Sequence, residues 1–178
     1  AARLYMRLLL SFSAAFWPAA LYDELKGIAA GLALEDRSLG AERLRGISLS
    51  HRDWVLADGA RARLQHQWRA LFNEVDIVLC PPMPVTAFAH DHSERQEARR
   101  LDIDGKAHPY LDVGLVWAGP ATSAGLPAAV VPIDRGASAL PIGVQIIGPY
   151  LEDRTVLAFA AMVEREYGGF VAPPGYGG

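Results

Sequence analysis

Helical spacing and short, solid apolar runs divide this chain between them. Residues 2–17 read as a helix that Pro18 interrupts, because proline has no N–H to donate. Ala19 to Ala33 reads as a second helical stretch ending near Gly31. Residues 34–49 are polar and mixed, which predicts a loop. Ser50-His51-Arg52-Asp53 matches the S-x-x-[DE] helix start. Beyond it Leu64, Trp68, Leu71, Phe72 and Val75 share one helical face, so a long amphipathic helix is predicted over 51–74.

The later half has a different rhythm. Asp76 to Cys80 is an apolar run stopped by Pro81-Pro82. Ala128 to Ile133 is a second run, and Leu140-Pro141-Ile142-Gly143-Val144-Gln145-Ile146-Ile147-Gly148-Pro149 a third. Each predicts a short strand buried on both faces. Residues 90–100 are charged and predict a solvated segment; Asp104-Gly105 predicts a hairpin turn. Leu111 to Trp117 reads as a short helix. Glu152-Asp153 opens a last helix whose core face is Val156, Ala160, Val163 and Tyr167, closed by Gly168-Gly169. The pattern predicts an α/β fold, a mixed β-sheet covered by helices on both faces. Three strands do not complete such a sheet, so more chain is expected to belong with it.

Gln145 is the exception within its strand. Period-2 alternation puts it on one face with Gly143 and Ile147, opposite Val144 and Ile146. A buried amide must find partners or destabilise the fold. The expected role is structural, a clamp on a neighbouring loop such as the Gly125-Leu126-Pro127 turn.

Composition narrows the function. Hydrophobic residues make up 51% of the 178 and charged ones 21%, more apolar surface than a small core needs. The net charge of −3 and the absence of a basic stripe argue against nucleic acid. Cys80 is the only cysteine, so no intrachain disulfide or CxxC site exists, and a cytoplasmic setting is expected. The apolar run Leu8 to Ala15 is too short to span a bilayer, and no membrane partner is expected. Without an initial Met, and opening in a helical pattern, the chain is expected to be a truncated or processed product.

Candidate chemistry is sparse. His90-Asp91-His92 could offer two metal ligands, but no third stands at suitable spacing, so a polar surface loop and no metal are expected. Cys80 ends a strand, where functional groups often sit, yet Leu79 before it and two prolines after it favour a packed thiol. There is no G-x-S-x-G, no S-x-x-K and no glycine-rich phosphate loop; the two lysines are Lys26 and Lys106. The residues by themselves yield no catalytic set and no cofactor.

The order of segments says more. Asp76-Ile77-Val78-Leu79-Cys80-Pro81-Pro82-Met83-Pro84 resembles the D-hydrophobic-L-L-T-P-T-M-P loop of the amidase signature family. Trp117-Ala118-Gly119-Pro120-Ala121-Thr122-Ser123-Ala124-Gly125-Leu126-Pro127-Ala128-Ala129-Val130-Val131-Pro132 is similar to its N-L-A-G-L-P-A-hydrophobic-V-P segment, and Leu140 to Pro149 to its G-L-P-I-G-V-Q-I-I-G-P segment. The resemblance implies that residues 1–178 form the C-terminal portion of a single amidase domain. It implies a parent that cleaves C–N amide bonds by serine acyl transfer through a Ser-Ser-Lys set upstream of the matching region. No catalytic residue is therefore carried over, and this chain alone is expected to be inactive.

What the resemblance assigns here is sheet core and one wall of a substrate pocket, with Cys80, Pro81, Leu115, Trp117 and Thr122 as candidate wall residues. Gln145, Gly125 and Pro127 are candidate structural residues. Leu115 stands where the glutamine-transamidating branch has an acidic residue, which implies a more apolar or aromatic amide. Core packing of Leu115 and Trp117 is the other reading, and both stay open. The expected partners are a small amide in the intact enzyme and the missing N-terminal portion or a second copy. The alternative function is a non-catalytic structural or oligomerisation module.

Overall fold

The computed structural model describes residues 1–136, 140–173 and 175–176. Helices dominate the first part: α1 (Ala2–Ser13), continued by a 3-10 turn at Ala14–Phe16, α2 (Ala19–Ala30), α3 (Leu39–Gly46) and α4 (His51–Leu71). Pro18 sets the break between α1 and α2 as expected. Ser50 caps α4, its hydroxyl accepting from the Asp53 N–H at 3.1 Å and donating to the Asp53 carboxylate.

The loop expected at 34–49 needs correction, since the segment holds α3. Ser38 caps this helix by accepting from the Ala41 N–H at 3.1 Å. Two glycines among its eight residues make it a weak helix by propensity, and tertiary contacts hold it. Glu42 is 3% exposed and is met by Arg7 from α1, by Arg45 at 3.2 Å and by Arg37 at 3.8 Å. Gly46 lets α3 lie directly on the α1 backbone at Arg7.

The strands are β1 (Val78–Cys80), β2 (Arg100–Ile103), β3 (Lys106–Pro109), β4 (Ala128–Arg135) and β5 (Pro141–Ile147). β5 lies between β1 and β4, and both pairings are antiparallel. The described strands thus supply antiparallel pairing for an α/β fold. β2 and β3 form the expected hairpin, with Asp104 and Gly105 at φ 53° and 76° as a tight turn demands. Three helices complete the order: α5 (Tyr110–Val113), α6 (Gly119–Ala124) and α7 (Asp153–Tyr167). The helix expected over 111–117 is only the short α5; turns carry the chain from there to α6.

α7 packs Val156 and Ala160 on Val131 and Ile146 of the sheet. Tyr167, expected on that face, is instead 60% exposed in the last residue of the helix. A second core joins Leu10 and Ala14 to Ile47. The strands are not buried on both faces throughout: Leu79 and Val130 are 51% and 55% exposed, with no described element over them.

Candidate functional site

Gln145 sits in the central strand, paired across to Cys80 on one side and Val130 on the other. Its side chain is buried at 6% exposure. The amide nitrogen carries two protons and uses both: it donates to the Trp117 carbonyl at 2.9 Å and to Cys80 Sγ at 3.0 Å. The clamp expected on the Gly125-Leu126-Pro127 turn is therefore corrected. That turn is satisfied without Gln145, because Gly125 takes the left-handed conformation at φ 67°. The N–H groups of Gly125 and Leu126 then bond back to Thr122 and Ala121 of α6. Pro127 lends its carbonyl to the N–H of Gly148.

The two residues that Gln145 holds lead into a cleft. β1 ends at Cys80, and the proline-rich loop from Pro81 to Ala87 forms one wall. Trp117, the start of β5 from Pro141 to Gly143, and Ile103 and Asp104 of the hairpin line it as well. The volume is about 740 Å³. Most of the side chains lining it are apolar, with Thr86 and Asp104 as polar ones.

Among the expected site residues, Pro81 and Trp117 come together in this cleft. Cys80 stands just behind it, its sulfur turned to Gln145. Leu115 is 38% exposed and is absent from the lining. Thr122 faces another groove, beside Tyr5, and donates to the Ala118 carbonyl at 2.9 Å. Ile103, Asp104 and the start of β5 line the cleft without any mark in the sequence, since a hairpin's docking place leaves no local signal. The amide within an apolar strand was the one available pointer to the place where the walls meet.

His90 and His92 lie in an exposed stretch with ring centroids 5.7 Å apart. Among the described residues, no group of three or more His, Cys, Asp or Glu could hold a metal ion. Nor is any helix among them long and apolar enough to cross a membrane.

A family model described as Amidase matches residues 35–157. The chain belongs to the amidase family. This amidase-family chain is 36% identical over 121 residues to a glutamyl-tRNA(Gln) amidotransferase subunit of Zymomonas mobilis, covering 68% of this chain and 22% of that protein. It is 33% identical over 118 residues to a fatty acid amide hydrolase of Medicago truncatula, covering 66% of this chain and 18% of that one. A solved amidase superposes with a TM-score of 0.65 at 22% identity, covering 92% of this chain and 35% of its own. The corresponding glutamyl-tRNA(Gln) amidotransferase subunit of Thermotoga maritima superposes with a TM-score of 0.52 at 28% identity, over 67% and 25% of the two chains. The chain thus spans about a fifth to a third of the length of the proteins it matches.

Proposed function

We propose that this amidase-family chain is the C-terminal portion of a single amidase domain. In an intact enzyme that cleaves C–N amide bonds by serine acyl transfer, it supplies sheet core and part of the substrate-pocket wall. The observation that carries this reading is the apolar cleft between the Pro81–Ala87 loop and Trp117, two of whose walls converge on Gln145. An amide with an apolar or aromatic body fits such walls better than a free amino acid amide with its two charges. The relatives' names span both kinds, a fatty acid amide hydrolase and subunits of a glutamyl-tRNA amidotransferase.

Alone, the chain is inactive in this reading. Its cleft lining holds neither a serine nor a lysine among the described residues, so the Ser-Ser-Lys set of the amidase acyl transfer is not found there. The test is hydrolysis of a neutral aryl amide by the purified chain and by the full-length gene product. Turnover by the full-length protein only is the expected result, and turnover by the chain alone refutes the reading. A cytoplasmic setting accords with the single cysteine.

The exposed Leu79 and Val130 favour a second reading, a structural module that covers its sheet with another copy. Light scattering on the purified chain decides it: a monomer that binds no hydrophobic dye counts against the module.

A further inference from the structure

A hollow of about 450 Å³ lies among α1, α3 and α4, and none of its lining residues lines the cleft just described. Arg3, Arg7 and Arg37 line it, with Glu42 and Asp53 as its carboxylates. An adjoining hollow shares Arg7 and Asp53 and adds Lys26 and Arg45. Five cations thus face two carboxylates, on a chain whose net charge is −3.

The two carboxylates do not balance them. Glu42 is shared by three guanidinium groups, those of Arg7, of Arg45 at 3.2 Å and of Arg37 at 3.8 Å. Asp53 is turned to its own helix start, where it accepts from the Ser50 hydroxyl at 2.6 Å. Among the described residues, neither Asp53 nor Arg3 makes an ion pair. The Nε of Arg7 is buried and lacks a hydrogen-bond partner. Arg45 is held in place by the Asp36 and Ala33 carbonyls at 2.5 and 2.6 Å. Arg3 is exposed, and the Arg37 side chain is 64% exposed at its long contact, so both heads can turn to a ligand. Like charges held close repel one another. A network that served stability alone would pair its charges; this one keeps an excess of positive charge around an open space.

We propose that this hollow binds the phosphate group of a small organic phosphate ester. A guanidinium fork meets two oxygens of a phosphate at once, which a lysine cannot do. A doubly charged group also answers the excess charge more fully than a single carboxylate does. The space is larger than a bare phosphate ion, and Leu4 and Leu56 line it too, so the rest of the ligand is a compact body with an apolar side. Arg3 and Arg37 take the phosphate oxygens, and Arg7 adds its charge while it stays with Glu42.

The test is a calorimetric titration of phenyl phosphate into the full-length gene product at a constant ionic strength of about 0.15 M. Saturable binding of one ligand per chain is expected. Arg3→Gln with Arg37→Gln should weaken it by more than about tenfold, with the melting temperature of the free protein little changed because both side chains are exposed. Arg154→Gln with Arg165→Gln removes the same charge from the exposed side of α7 and should leave binding unchanged. Inorganic phosphate and benzoate offer the two halves of the probe separately, and each should bind about tenfold more weakly or worse.

Four results overturn the proposal. They are a titration without saturation, binding that survives loss of Arg3 and Arg37, binding lost equally in the α7 variant, and benzoate or inorganic phosphate bound as tightly as the ester. In the last case benzoate would assign the hollow to carboxylates and inorganic phosphate to the free ion. Amide hydrolysis by the same protein reports separately on the amidase reading, which stands or falls without this site.

Discussion

The amide nitrogen of Gln145 lies 2.9 Å from the carbonyl oxygen of Trp117, 28 residues earlier in the chain. The same nitrogen reaches Cys80, 65 residues earlier. One side chain of β5 thus holds both the end of β1, where the Pro81–Ala87 loop begins, and Trp117, which lines the same cleft.

Replacing Gln145 with Leu keeps the volume and removes both bonds, leaving a carbonyl with no side-chain donor. The expected loss is about 1–3 kcal/mol of stability, read from urea unfolding. Cys80 is the only cysteine, so its reaction with a thiol reagent reports on the cleft directly. The reaction should speed up in Gln145→Leu under native conditions. An unchanged rate would mean that Gln145 does not hold this region.

Gly46 is where α3 touches α1. A Cβ there would overlap the Arg7 carbonyl oxygen and lie 3.0 Å from the Arg7 Cα, so backbone meets backbone and no side chain can turn away. Gly46→Ala should cost about 2–3 kcal/mol although alanine is the better helix former. A stabilised variant would show that the two helices are not in contact.

Glu42 is buried among arginines that keep partial access to water, Arg7 at 30% and Arg37 at 64% side-chain exposure. Glu42→Ala leaves those cations without their counter-charge and should cost about 3 kcal/mol in thermal or urea unfolding. Arg37→Ala, at the exposed and longer contact, should cost less than about 0.5 kcal/mol. Equal losses would contradict this ranking.

Burial pushes the phenol of Tyr5 above its ordinary value, against an opposing pull from its hydrogen bond with Thr122. The folded state then holds this proton at a pH where the unfolded chain has released it. That stability is present in full below about pH 10 and is lost as pH rises through the folded value. Urea midpoints should fall in that range, and Tyr5→Phe should flatten the fall. Parallel declines in the two proteins would exclude Tyr5 as its source.

Local features were the legible ones. The Ser50 cap, the Asp104-Gly105 turn and the Gly168 end of α7 each act within about four residues, and each appears where the sequence places it. α3 escaped because its propensity is weak and its support comes from Arg7, 35 residues away from Glu42. The cleft was half legible: Pro81 and Trp117 line it, whereas Ile103, Asp104 and the start of β5 reach it only through the fold.

By itself, the sequence determined the Ser50-capped helix, the hairpin turn and the apolar strands, and that a buried Gln145 needed partners. Caps, turns and apolar spacing are short-range, and hydrogen-bond satisfaction is a general demand. Only the tertiary structure decided who the partners are. It chose Trp117 and Cys80 over the Gly125 turn, whose own backbone bonds were already complete.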